Sequence, residues 1–213
     1  MGAWISDEVD HEVPMNTKAP APPTLETLKD AAATGRSLAG LPGTAGRSAV
    51  LDNGDIDQTV VAFNVFNSLM ETDGIRSALY SVLRKSNYRF ISIFRFQDGK
   101  ATSAVHVDRT DLGLHQADEV DDTATYCCYV RDAGGAFVTA DAMKDPRTAN
   151  HVAREAVRSY FGVPILDPEG GLIGTLCHYD LVPQDPEQLD LELLLQVSSA
   201  LAQSQKVPPY PAR

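Results

Sequence analysis

Changes in the spacing of apolar residues divide the chain into successive elements. From residue 57 onward, apolar side chains recur every three or four positions, which predicts one long amphipathic helix or two joined helices. Residues 88–96 and 101–108 instead alternate between apolar and polar positions around a short Asp-Gly turn, so they predict a β-hairpin. Residues 109–121 are polar and are expected to form a surface loop.

The next stretch has a weaker period and is interpreted from its boundaries. Acidic residues before it can cap a helix and two glycines after it can end one, so a short helix is predicted at residues 123–132. Residues 136–141 are predicted to be a strand. Toward the C-terminal end, Asp185 and Pro186 predict the start of a last helix that continues to about residue 206.

Residues 141–180 carry the clearest boundary signals in the chain. Asp145 is placed to cap a helix and Pro146 suits its first turn, so a helix is predicted over residues 146–158. Its apolar stripe consists of small side chains, which either pack closely on a sheet or leave a space beneath the helix. The members of this stripe are Ala149, Val152, Ala153, Ala156 and Val157.

A second β-hairpin is predicted directly after this helix. Residues 160–166 form a short apolar run, as expected of a strand covered on both faces, and Pro164 indicates an edge or a bulge within it. Residues 167–171 contain one proline and two glycines and predict a tight turn. Residues 172–181 are then the returning antiparallel strand.

This second half of the chain resembles a GAF domain, the small-molecule-binding relative of the PAS fold. The resemblance lies in the order of an aspartate, a short helix, a Tyr-x-Gly-Val-Pro strand, an acidic-Pro-x-Gly turn and an Ile-Gly-Thr-Leu-Cys strand that ends in aspartate. The matching residues are Asp141, Asp145, Pro146, Tyr160, Gly162, Val163, Pro164, Gly170, Gly174, Thr175, Leu176, Cys177 and Asp180. The resemblance covers residues 56–206 and implies an α/β (α+β) fold, with a central antiparallel sheet and helices on both faces.

The resemblance also implies a site and a function. In the family, one face of the sheet and the helix that corresponds to residues 146–158 enclose the ligand, and the first and last helices often pair between subunits. The ligand-binding residues expected here are Tyr126, Cys128, Ala153, Val157, Arg158, Tyr160 and His178. The implied function is non-enzymatic sensing of a small molecule, with a signal passed to a partner or within a homodimer. Because the family holds binders of cyclic nucleotides, haem, bilins and metabolites, the ligand or cofactor stays unidentified.

Composition narrows the classes of partner. The net charge of −11 argues against binding to nucleic acid, because contacts to phosphates depend on clustered Lys and Arg. No apolar stretch approaches the roughly 20 residues that cross a bilayer, and no leader is predicted, so a cytoplasmic location is expected. Only three cysteines occur, which does not make a disulfide framework and fits a reducing compartment.

Two alternatives to sensing remain open. One is a domain that only dimerises or scaffolds, without a ligand. The other is a cysteine-dependent enzyme, similar to GAF-fold reductases of free methionine sulfoxide, although the Gly- and Ser-rich surroundings of their cysteines are missing around Cys127, Cys128 and Cys177. The Cys177-His178 pair is similar to the pair that holds a bilin in some relatives, but its place on a predicted strand favours packing. No metal site and no catalytic residue is predicted, because the histidines lack paired ligand spacing and no hydrolase or nucleotide motif occurs.

The two ends of the chain are expected to lie outside the domain. Residues 1–55 combine an acidic start, a Pro/Ala stretch and a Gly/Ala/Ser stretch, which is typical of a flexible tail. Within it, residues 24–33 predict one short helix, transient or docked, and a docking arm against a partner is the alternative interpretation. Residues 207–213 are expected to be a C-terminal tail.

Overall fold

A computed structural model describes residues 57–211 of the chain. The predictions for the tail, its short helix and its docking role fall on residues 1–55 and lie outside the described residues. The helices are α1 (Gln58–Thr72), α2 (Gly74–Leu83), α3 (Cys127–Ala133) and α4 (Leu191–Ser204). The strands are β1 (Phe90–Gln97), β2 (Lys100–Asp108), β3 (Val120–Asp121), β4 (Phe137–Thr139), β5 (Ser159–Leu166) and β6 (Leu172–Asp180).

The first helical segment is two helices that meet at Asp73. The carboxylate of Asp57 accepts the backbone N–H of Thr59 at 2.9 Å and so caps α1. The chain turns at Asp73, and α2 begins at Gly74, whose φ of +84° lies in the left-handed region that glycine tolerates. Of the two predicted alternatives, one long helix or two joined helices, the second is therefore the one observed.

The six strands form one curled antiparallel sheet in the order β3-β2-β1-β6-β5-β4. Both predicted hairpins, β1–β2 and β5–β6, are confirmed, and the pairing of β1 with β6 joins them at the centre. Gly174 is required at this junction, because a Cβ there would lie 2.4 Å from the backbone oxygen of Phe94. Pro164 lies beyond the three-residue pairing of β5 with β4, as its predicted edge position requires.

The two faces of the sheet support different cores. Helices α1, α2 and α4 pack on one face over a large hydrophobic cluster that includes Phe66, Leu79 and Leu201. The opposite face carries a smaller aromatic cluster beneath α3 and the segment that follows β4. The predicted fold, a central antiparallel sheet with helices on both faces, is therefore confirmed.

The predicted helix over residues 146–158 is wrong. Only Pro146–Thr148 forms a single 3-10 turn, which Asp145 caps by accepting the N–H of Arg147 at 2.9 Å, and residues 149–157 continue as a series of turns. The Thr148 hydroxyl donates to the carbonyl of Ala142 at 2.6 Å, and the Arg154 guanidinium donates to the same oxygen at 3.1 Å. Such bonds between side chains and backbone compete with the regular helix.

Three other boundaries also differ from the prediction. The last helix begins at Leu191 rather than Asp185, because Asp190 caps it by accepting the N–H of Leu193 at 2.9 Å and a separate 3-10 turn precedes it. The predicted short helix is divided in two, because the extended Thr125 separates a 3-10 turn at Asp122–Ala124 from α3. The polar loop after β2 ends in the two-residue strand β3. Within residues 57–211, no helix is both long and apolar enough to cross a membrane.

Candidate ligand-binding site

A cavity of about 410 Å³ opens between the aromatic face of the sheet and residues 149–158. The sheet supplies its floor and the turns after Thr148 supply its roof. The loop before β3 and the start of α3 supply its sides. The lining residues are Phe94, Ala117, Asp118, Val120, Ala124, Thr125, Tyr126, Val152, Ala153, Ala156, Val157, Tyr160, Cys177 and Tyr179.

Aromatic rings dominate the floor of this cavity. The rings of Tyr126 and Tyr160 meet edge to face, with centroids 5.6 Å apart. The ring of Tyr160 lies along its own strand over Gly162, where a Cβ would stand 2.3 Å from the Tyr160 hydroxyl. Gly162 therefore makes room for the tyrosine ring. The hydroxyl of Tyr160 donates to Cys127 Sγ at 3.3 Å, and that of Tyr126 donates to the carbonyl of Val157 at 3.3 Å.

The roof is held in place by His151. Its Nδ1 accepts the backbone N–H of Ala153 at 3.1 Å, and its ring lies 4.5 Å from the ring of Tyr126, centroid to centroid. Burial lowers the pKa of His151, which favours the neutral ring that this acceptor role needs. Because Ala153, Ala156 and Val157 are small, the roof stands away from the floor and the cavity remains between them.

A family model, described as the GAF domain, matches residues 72–204. The chain belongs to the GAF domain family. This finding confirms the resemblance that the second-half motif carries. Domains of this family have sensory and regulatory roles. A comparison with curated proteins finds no match.

Comparisons with solved structures concern the fold. The GAF domain of the Acinetobacter phosphoenolpyruvate-protein phosphotransferase has a TM-score of 0.55 and 13% identity, over 70% of this chain and 93% of that one. The chromophore-binding domain of the Stigmatella aurantiaca bacteriophytochrome has a TM-score of 0.55 and 8% identity, over 77% of this chain and 64% of that one. The free methionine-R-sulfoxide reductase of Neisseria meningitidis has a TM-score of 0.49 and 15% identity, over 71% of this chain and 95% of that one. At these identities the first two similarities show the fold alone, and nothing is argued from the third.

The GAF domain brings four of the seven sequence-predicted site residues onto the cavity wall, namely Tyr126, Ala153, Val157 and Tyr160. The other three lie elsewhere. Arg158 donates two hydrogen bonds to the Asp141 carboxylate, at 2.8 and 3.1 Å. Cys128 lies behind the wall, where its Sγ is 3.8 Å from His151 Nε2, and burial raises its pKa to about 11.

His178 packs on the opposite face of the GAF domain's sheet. Because side chains alternate along β6, Cys177 faces the cavity while His178 faces the helices, where its ring meets Tyr88 edge to face at 5.8 Å. Neither ring nitrogen has a hydrogen-bond partner among residues 57–211. Burial, with a smaller contribution from the Arg109 guanidinium, lowers the pKa of His178 to about 3. This residue belongs to the core.

Sequence reasoning did not assign Phe94, Asp118, Thr125 and Tyr179 to the site, although all four line the cavity. The period of two along β6 could have found Tyr179, because it shares a face with Cys177. Asp118 and Thr125 come from the loop before β3 and from the turn before α3, whose paths depend on tertiary contacts. Among the described residues, no group of three or more His, Cys, Asp or Glu side chains is arranged to hold a metal ion.

Proposed function

We propose that this GAF domain is a non-enzymatic sensor that binds a small organic molecule in the cavity between β1, β5, β6 and residues 149–158. The observation that carries the proposal is the cavity itself, whose volume of about 410 Å³ and aromatic floor match ordinary ligand sites. The raised pKa of Cys177, caused mainly by burial, supports a binding role over thiol catalysis, because a protonated thiol is a poor nucleophile.

The wall chemistry supports a neutral or cationic ligand. Phe94, Tyr126, Tyr160 and Tyr179 offer ring faces and edges, and Asp118 adds a carboxylate at the exposed side. None of the described residues that line the cavity is Lys, Arg or His. An anion would lose hydration there without gaining a positive partner, whereas a cation would gain cation–π contacts. The ligand we propose is therefore an amine or a neutral compound with an aromatic or apolar body.

A series of probes with one ring and three charges tests this choice. We expect tryptamine and indole to bind more tightly than indole-3-acetate, by about tenfold between the cation and the anion. Isothermal titration calorimetry at moderate ionic strength measures the three affinities. Asp118→Asn should reduce the difference in affinity between tryptamine and indole. Asp98→Asn removes the same charge from an exposed hairpin turn and should leave that difference unchanged. Tightest binding of indole-3-acetate would rule out the proposed ligand class.

The signal is proposed to leave through the helical face of the sheet. Strand β5 carries Tyr160 on the cavity side, and its Pro164 carbonyl accepts a hydrogen bond from Ser198 of α4 at 2.7 Å on the other side. Displacement of β5 by a ligand would therefore act on α4. Next to α4, helix α1 leaves Val60, Val61 and Val65 48%, 38% and 45% exposed. We propose that a second copy of the chain covers these valines, so that α1 and α4 pair in a homodimer.

The proposed homodimer predicts a change in mass on substitution of one valine. Val65→Lys places a charge in the apolar contact, so the dissociation constant of the full-length protein should rise about tenfold or more. Sedimentation equilibrium over a wide concentration range measures it. Asn150→Lys adds the same charge at an exposed position on the cavity side and should leave association unchanged. A parent protein that stays monomeric at every concentration would refute the dimer.

A scaffold without a ligand is the competing function, and native mass spectrometry separates the two. Retention of a small molecule by the purified protein, or binding of the probes, supports sensing. A bare mass together with no probe binding and a persistent dimer would support scaffolding instead.

A further inference from the structure

Two of the three cysteines meet at the floor of the cavity. Cys127 is the first residue of α3 and Cys177 lies on β6, and their Sγ atoms are 3.9 Å apart although 50 residues separate them in the chain. A disulfide needs a separation of about 2.05 Å, so the sulfurs would move together by roughly 1.8 Å. Rotation of the two side chains and a small shift of α3 would supply that movement. We propose that Cys127 and Cys177 form a reversible disulfide when a hydroperoxide enters the cavity.

The positions of the two sulfurs assign them different roles. Both residues are buried, but Cys177 lines the cavity and Cys127 does not, so a small solute in the cavity meets Cys177. Cys177 is therefore the thiol that meets the oxidant, and because burial raises its pKa, its attack on the oxidant is slow and does not amount to catalytic turnover. Cys127 is the resolving thiol, because its sulfur lies 3.9 Å from that of Cys177 and does not line the cavity.

The reaction balances in two steps. The Cys177 sulfur attacks one peroxide oxygen, the O–O bond breaks, and the thiol proton passes to the departing oxygen, which gives a sulfenic acid and an alcohol or water. The Cys127 sulfur then attacks the sulfenic sulfur, the S–O bond breaks, and the hydroxide leaves with the Cys127 proton as water. Two electrons pass from the thiols to the hydroperoxide, and a small dithiol can reverse the change.

The surroundings of Cys127 suit the second step. Burial raises the pKa of its thiol, but side-chain hydrogen bonding with polar neighbours, among them Cys177 and Tyr160, outweighs burial and lowers it below the ordinary value. The Tyr160 hydroxyl, 3.3 Å from Cys127 Sγ, is a donor that stabilises the thiolate. Cys128 lies next in the chain but contacts His151 instead, so it serves as a matched control.

Hydrogen peroxide is the probe for the test, which uses the full-length protein. After a prolonged exposure and digestion without reductant, mass spectrometry should show a peptide pair joined through Cys127 and Cys177, and dithiothreitol should release it. The pair should form in Cys128→Ser and be lost in Cys127→Ser and Cys177→Ser. Circular dichroism confirms that each variant is folded. A folded parent that gives no such pair, or one joined through Cys128, would overturn the proposal.

The route through the cavity has its own control. Ala153→Leu narrows the cavity, so disulfide formation should slow about fivefold or more, whereas Ala149→Leu changes an exposed position away from the wall and should not slow it. Equal rates in both variants would overturn the route. The disulfide forms whatever ligand the domain senses, so a failure of the indole probes to bind would not contradict it.

Discussion

Replacing His178 with phenylalanine should remove about 2 kcal/mol of the acid sensitivity of folding between pH 8 and pH 5. The substitution keeps an aromatic ring against Tyr88 and removes two ring nitrogens that have no hydrogen-bond partner among residues 57–211. The variant should unfold at a urea concentration close to that of the parent at pH 8. At pH 5 it should be clearly the more stable protein.

The sign follows from the pKa of His178, which burial lowers from 6.5 to about 3 in the folded protein. Well above pH 6.5 the ring is neutral in both the folded and the unfolded protein, so its protonation does not change the free energy of unfolding. As the pH falls below 6.5, the unfolded chain takes up a proton that the folded protein cannot accept, so the free energy of unfolding decreases. At pH 5 the loss is about 2 kcal/mol, and it continues to grow toward pH 3.

The difference in the pH dependence of stability between the parent and His178→Phe reports on His178 alone. Burial also lowers the pKa of His106 and His151, but both are retained in His178→Phe and cancel in the comparison. His115 is exposed, so His115→Gln is the matched control and should keep the slope of the parent. Urea unfolding at pH 5, 6, 7 and 8 provides the measurement. A variant whose stability falls with acid as steeply as that of the parent would show that His178 is not the acid-sensitive group.

Replacing Ala153 with leucine should leave the stability of the domain within about 1 kcal/mol of the parent while it blocks the site. In a closely packed interior, an added set of methylene groups costs about 1 to 3 kcal/mol. Ala153 instead faces the cavity, which has room for the larger side chain and apolar surfaces for it to cover. Urea unfolding at neutral pH measures the difference. A loss of several kcal/mol would mean that the roof rests directly on the floor and that the cavity is not available to a ligand.

Much of the fold could be predicted because its signals are local. The period of two in both hairpins defines the central strands. The motif around Gly174 marks the place where two backbones meet too closely for a Cβ. Asp145 caps a helical turn, and Gly134 ends α3 in the left-handed conformation with a φ of 58°, as their residue types predict. In each case the residue type and its immediate neighbours carry the physical cause.

The roof of the cavity could not be predicted in the same way. Asp145 and Pro146 begin a helical turn as their residue types predict, but Thr148 and Arg154 both bond to the carbonyl of Ala142. These partners are brought together by the turn after β4, which a helical period does not reveal. Four of the five small residues of the predicted stripe line the cavity, although the element that carries them is a series of turns.

The candidate site shows the same division. Tyr126, Tyr160 and the small residues of the roof were named from the family resemblance and line the cavity. His178 was named with them, but its position next to Cys177 on one strand places it on the other face. Arg158 was named as a polar group near the ligand, and its partner Asp141 lies 17 residues earlier in the chain. Pairings of this kind become visible only in three dimensions.

The central claim, that the cavity under residues 149–158 is a ligand site, is tested most directly by titrating tryptamine into three proteins. The parent and Ala149→Leu should bind it with equal affinity, and folded Ala153→Leu should bind it at least about tenfold more weakly, because leucine occupies the space. Equal binding by all three proteins would place tryptamine elsewhere on the domain and contradict the claim.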